Sequence, residues 1–299
     1  MFSIAQQINV KVFLIIKRWL MNTPPKGFNI VWSKVPVIIR GILLGLLILI
    51  TGQLPTGLIF FNLQFAPSIP MFFPIILIWL WVFWRYLKGW GWPASTAQIR
   101  SQNLRAHKIS AKVWLWSLLG GGVGLMSVLG LTFVISHHFE LPADAYEAPF
   151  DVTSFPPWTI FSFFTSIAIT AGVVEEAAFR GYMLSQIQAR YGWQWSILIT
   201  AIVFYVVHLS HAYATIAFLP FFLAYSILQG YLVYLTRSIL PSVLMHALGD
   251  VTILPMQYGI LKNIGEIPFI HNGWMSLTMA VVAVPLFYNL SKITKGKGH

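Results

Sequence analysis

A chain of 299 residues that is 57% hydrophobic and 16% aromatic but only 9% charged has the composition of a polytopic membrane protein and excludes an ordinary soluble domain. The absence of cysteine rules out disulfides, cysteine nucleophiles, thiolate-bound zinc and iron–sulfur clusters. A net charge of +11 arises from 19 bases against 8 acids, and most of the bases sit in short segments flanking apolar runs. They therefore mark cytoplasmic loops rather than a nucleic-acid surface.

Residues 1–35 form a segment in which Lys11, Lys17 and Arg18 interrupt the apolar run, which predicts an amphipathic helix lying on the membrane rather than a signal peptide. At about 20 apolar residues per crossing, eight spans follow: 36–53, 70–87, 113–136, 158–183, 194–212, 216–235, 238–257 and 273–291. The predicted fold is all-α, a helical bundle over 36–292 with a basic tail at 293–299. Lys11, Lys17, Arg18, Lys26 and Lys34 precede the first span, and Lys88, Arg100, Arg105, Lys108 and Lys112 follow the second. The connection after the third span carries Glu140, Asp144, Glu147 and Asp151 with no base, whereas Arg190, Arg237, Lys292, Lys295 and Lys297 fall on the alternate side. This places both termini in the cytoplasm, and the absence of cysteine and of a large soluble region reads as a compact protein of a bacterial cell membrane. Gly120, Gly121, Gly122 and Gly124 lie mid-span with no Lys-Ser/Thr after them, a pattern for close helix packing rather than phosphate binding. Trp90 and Trp92 read as interfacial anchors.

The fourth span is where charge enters the apolar interior, as Glu175, Glu176 and Arg180. An ionisable group at bilayer depth costs at least about 2.5–3.5 kcal/mol, so it marks a functional site by default. An i,i+4 spacing puts Glu176 and Arg180 on one helix face with the acid N-terminal to the base. Glu176 is thereby neutralised, while Glu175, about 100° around the helix, needs another partner.

The fifth span supplies Phe204 and His208, and the seventh His246 and Asp250, again at i,i+4. If the hairpin between spans four and five turns near Gly192, Glu175 and His208 lie at matching depth, about 25 Å from the turn along each helix. His246 reaches that depth only if this hairpin extends beyond the membrane, so the sequence predicts a helix overhang past Met183. Phe204, one turn before His208, is placed to pack beside the imidazole; His211 reads as an interfacial histidine.

A carboxylate with an imidazole can take a proton from water, while a second imidazole and a polar partner can stabilise an oxyanion. Glu175, His208 and His246 are also a possible ligand set for a divalent metal such as zinc, although no HExxH helix demands one. Cofactor use thus stays open between none and a metal. Intramembrane carboxylates also suit a proton-coupled transporter, and the same fold could act as a non-catalytic scaffold or immunity protein. The transporter reading expects an internal repeat, and none is visible.

Taken in order, Glu175-Glu176-x-x-x-Arg180, Phe204-x-x-x-His208 and His246-x-x-x-Asp250 resemble the three-motif signature of the CAAX-protease and bacteriocin-processing family, also called Abi or CPBP. The resemblance covers about 157–258. It implies an eight-helix intramembrane endopeptidase with a cavity open to the cytosol, acting on a membrane-associated protein or peptide. By carry-over, Glu175 and His208 activate water, His246 and Asp250 serve the oxyanion, and Glu176, Arg180 and Phe204 support them. Position 250 departs from the prenyl-protein proteases, which typically carry Asn there; an ionised Asp cannot donate to an oxyanion.

Overall fold

The computed structural model describes residues 32–142, 151, 154–257 and 267–295. The N-terminal surface helix, Asp144, Glu147 and the last residues of the basic tail lie outside the described residues. Among those described, every regular element is a helix. In chain order they are α1 (Val37–Gln53), α2 (Gly57–Phe65), α3 (Phe72–Leu87), α4 (Ala97–Leu104) and α5 (Ala111–His138). There follow α6 (Pro157–Glu175), α7 (Leu184–His208), α8 (Leu219–Thr236), α9 (Leu240–Gln257), α10 (Pro268–His271) and α11 (Trp274–Lys295). The protein is a multi-pass integral membrane protein.

The first span does not stop at residue 53. A single 3₁₀ turn, Leu54–Thr56, joins α1 to α2 in a 29-residue apolar run, because Pro55 occupies a first-turn position where its missing N–H costs nothing. The 52-residue run Pro157–His208 is two passes. Glu175 and His208 would stand about 50 Å apart along a straight helix, yet their side chains approach to 3.8 Å. The reversal occurs at Gly192, whose φ of 76° lies in the left-handed region that a side chain disfavours. With the shorter apolar helices Phe72–Leu87 and Leu240–Pro255, the described residues make eight passes.

Contacts between connections define the two ends of the bundle. At one end Arg105 Nη1 donates to Gln188 at 2.7 Å, Ser238 Oγ donates to His107 O at 2.7 Å, and Gln186 Nε2 donates to Asn103 at 3.0 Å. Every described Lys and Arg except Arg180 belongs to this end, the one that the positive-inside rule expects on the cytoplasmic side. Arg100 is buried there and orders the α3–α4 connection, donating to Tyr86 O at 2.9 Å and to Trp90 O and Pro93 O at 3.1 Å. At the opposite end Trp158 Nε1 and Thr159 Oγ1 donate to Ser68 O and Pro67 O. Asn62 bonds Ala66 O, Ile69 O and Phe72 N to close the α2–α3 turn.

The predicted overhang is present: helix continues past Met183, and Ser185, Gln186 and Gln188 dock on Asn103 and Arg105 at the end of α4. Gly120 and Gly124 bring α5 against α11, where a Cβ would lie 3.5 Å from Leu286 or 3.4 Å from Phe287. Gly172 allows the approach that matters most for the site: its Cβ would sit 2.8 Å from Val243 O and 3.0 Å from Ala247 of α9. Bringing α9 this close to α6 sets His246 over the two glutamates.

Candidate active site

Between α6 and α7 the helix widens. Glu176–Met183 is π-helical rather than the regular α-helix that the sequence predicts, and all eight of its residues are buried. π-Helical turns are rare and concentrate at functional sites, since the extra residue per turn re-aims side chains. Glu176 and Arg180 still pair, with Nη1 2.9 Å from Oε1 and both side chains inaccessible.

Glu176 does more than answer Arg180, however. Its Oε1 also accepts from His246 Nδ1 at 2.7 Å, and its Oε2 accepts a short hydrogen bond from Ser242 Oγ. Ser242 stands 3.0 Å from Gln229 Oε1, and Arg180 Nη2 reaches Ser226 O at 3.4 Å. Arg180 Cζ lies 4.8 Å from the Phe204 ring centroid, which supplies the remaining face of the cation. The single ion pair read from spacing is thus a buried network that also fixes the tautomer and orientation of His246. Ser242 and Gln229 carry no signal in the sequence; only the i−4 spacing of Ser242 from His246 on α9 points to it.

Glu175 faces the other way. Its Oε2 lies 3.8 Å from His208 Nε2 and 3.8 Å from His246 Nε2, and it is buried without a hydrogen-bond partner. His208 Nδ1 is 2.7 Å from Phe204 O, a carbonyl that can only accept, so Nδ1 carries a proton and Nε2 is the nitrogen turned toward Glu175. Phe204 is buried at 4.3 Å from the His208 ring, as its spacing predicts, and packs on Phe179 at 5.1 Å. Asp250 Oδ2 stands 3.7 Å from His246 Nε2. All four residues singled out for chemistry therefore converge, with Glu175, His208 and Asp250 12%, 14% and 21% exposed and His246 nearly covered at 4%.

These groups line a cavity of about 130 Å³, where one water needs only about 10–15 Å³. Its walls are Leu129, Phe221, Phe222, Ile253 and Leu254, with Tyr225 beside His246. Two residues were not anticipated here. The Tyr225 ring stands edge-on to His246 at 5.2 Å, and its buried hydroxyl has no partner. His211 lies outside α7, which ends at His208 rather than near 212, and stacks on Tyr213 at 5.4 Å on the cavity rim. Although its side chain is exposed at the rim, partial desolvation by the surrounding protein, then the neighbouring His208, hold its pKa below the ordinary histidine value, against the opposing pull of Glu175. Among the described residues no group of three His, Asp or Glu side chains is arranged to hold a metal ion.

Residues 156–252 match a family described as type II CAAX prenyl endopeptidase Rce1-like. The match covers about a third of the chain and contains all three motifs, in agreement with the resemblance to the CAAX-protease family. No curated protein and no solved structure matches the chain significantly.

Proposed function

From a core of the CAAX-protease type, which supports a membrane peptidase, we propose that this chain hydrolyses a peptide bond of a membrane-associated protein or peptide with water activated by Glu175 and His208. The observation that carries this reading is the unpaired Glu175 Oε2, buried beside an imidazole nitrogen at 3.8 Å. Two acceptors at that separation can share one water at about 2.8 Å from each. As the water oxygen attacks the scissile carbonyl, its proton passes to the Glu175–His208 pair, and the carbonyl π electrons move onto oxygen. Collapse of the tetrahedral intermediate breaks the C–N bond, and the same proton goes to the departing amine.

The developing oxyanion needs donors. His246 gives its Nδ1–H to Glu176, so as an imidazolium it can also donate Nε2–H into the cavity. Tyr225, whose hydroxyl is buried in the same wall without a partner, is our second donor. Asp250, 3.7 Å from His246 Nε2, then holds the imidazolium charge instead of donating, which gives a carboxylate a role where the prenyl-protein proteases typically have an amide. Each step runs through the chain's own side chains.

The test is a membrane-peptide library presented to the purified protein in liposomes, with and without chelator. Cleavage should vanish in Glu175→Gln and in His208→Ala; survival in both would remove the proposed base. Loss of wild-type cleavage in chelator would assign the water to a metal. Asp250→Asn should lower kcat, and an unchanged or faster enzyme would return position 250 to the oxyanion.

A further inference from the structure

Ser242 of α9 has one hydroxyl proton and two acceptors in front of it. Its Oγ makes a short hydrogen bond to Glu176 Oε2 and stands 3.0 Å from Gln229 Oε1 of α8. A hydroxyl donates once, so one of these two contacts sets oxygen lone pairs against each other. Elsewhere around the Glu176–Arg180 pair the imbalance is reversed. Arg180 Nε, Ser226 Oγ and Gln229 Nε2 are all buried without a partner, and each carries a hydrogen to give. Glu176, Gln229 and Ser242 are at 0% exposure, so bulk water does not supply the missing partners and each mismatch carries its full cost.

A half-turn of the Gln229 amide about its terminal bond removes the conflict without disturbing the packing, because amide oxygen and nitrogen are nearly identical in size and exchange places. Nε2 then donates to Ser242 Oγ, and the Ser242 proton is committed to Glu176 Oε2. The amide oxygen takes the place of a buried donor that had no acceptor. The other arrangement that seats a single proton between Ser242 and each neighbour has Glu176 protonated and donating to Ser242. It would leave Arg180, 2.9 Å away, a buried cation without its counter-ion, at a far greater cost.

We propose that Gln229 is a positioning residue, whose amide donates to Ser242 and through it holds Glu176 and His246 in the orientation that catalysis needs. With Oε2 engaged by Ser242, the carboxylate keeps Oε1 for Arg180 Nη1 and His246 Nδ1, at 2.9 and 2.7 Å. Without that proton the carboxylate is free to rotate and to offer either oxygen to the imidazole. The arrangement fixes Nδ1 as the nitrogen that gives its proton to Glu176, and turns Nε2 to the cavity, 3.8 Å from Glu175. Neither Gln229 nor Ser242 lines the cavity, so both act through His246 and not on substrate. The amide orientation follows from the proton count; its effect on catalysis rests on the peptidase reading above.

The orientation is tested without activity, by proton-detected solid-state NMR of the wild-type protein in liposomes. The Gln229 side-chain amide protons should show a through-space contact to the Ser242 methylene, and an assigned amide signal lacking that contact overturns the proposal. For catalysis the sign of the effect decides. Gln229→Met should lower kcat by roughly 2–10-fold, the worth of one neutral hydrogen bond, with KM unchanged. If Gln229 instead accepted the Ser242 proton, the same substitution would free that proton for Glu176 and leave kcat equal or higher, which overturns the proposal. Ser242→Ala should lower kcat at least as much, Ser242→Thr should restore it, and Gln229→Met should add nothing in the Ser242→Ala background. Full additivity, or a rise in KM that accounts for the loss, makes Gln229 a packing residue and overturns its positioning role. Gln229→Leu carries the same prediction should Gln229→Met not fold. Cleavage surviving in Glu175→Gln would sink the peptidase reading and the kinetic arm with it, while the wild-type spectrum still decides the amide orientation.

Discussion

Two adjacent carboxylates, Glu175 and Glu176, belong to two chemically distinct regions. The region below is a dry plug in which Glu176 is held by Arg180, His246 and Ser242 and no side chain of the pair reaches solvent. The region above is a cavity in which Glu175 meets two imidazole nitrogens at 3.8 Å and bonds to neither. A carboxylate saturated with hydrogen bonds is a poor proton acceptor, and one left unsatisfied beside space for water is a good one. His246 bridges the regions, with one nitrogen in each. The plug therefore acts on chemistry through orientation, and the cavity acts on it directly.

The comparison predicts different failures on each side. The largest effect belongs to the cavity: Glu175→Gln should reduce the cleavage rate by about 10²–10⁴-fold while thermal unfolding in detergent stays unchanged. A stability loss as large as that of a plug variant would merge the two regions. Arg180→Met should do the reverse, lowering unfolding free energy by about 3–5 kcal/mol because Glu176 is left as a buried charge short of its cation. Denaturant titration of the purified protein reads this directly. Tyr225→Phe should cost roughly 10–100-fold in kcat, the worth of one hydrogen bond to a charged group, with KM and unfolding unaltered; an equal rise in KM would make Tyr225 a packing residue.

The smallest effect is at the rim. The depressed pKa of His211 means that the unfolded chain takes up its proton first as pH falls below the ordinary value of 6.5. Its contribution to stability is thus fully present above 6.5 and declines as pH drops toward the folded-state value. His211→Gln should flatten that acid slope in unfolding midpoints measured between neutral pH and about pH 5, without changing the midpoint at neutral pH.

Much of this was legible in advance where the physical rule is local. Apolar runs long enough to cross a bilayer announce helices, since lipid leaves the backbone no other way to satisfy its hydrogen bonds. The i,i+4 relations of Glu176 with Arg180 and of His246 with Asp250 follow from helical geometry, and both pairs are found together. Depth matching across the Gly192 turn brought Glu175 to His208, and the shallower position of His246 on its span required the overhang past Met183. Less legible were the 3₁₀ continuation through Pro55 and the end of α7 at His208, because weak local preferences are overridden by packing at helix ends.

By itself, then, the amino-acid order determined a helical membrane bundle, its basic and acidic faces, and the handful of polar residues placed in its apolar interior. Tertiary structure decided what those residues do. The π-helical turn, the Gly172 contact that admits α9, and the side chains of Ser242, Gln229 and Tyr225 depend on which helices meet and at what height. That is a matter of packing between segments distant in sequence, and it is there that one glutamate became a structural hub and its neighbour was left free to meet water.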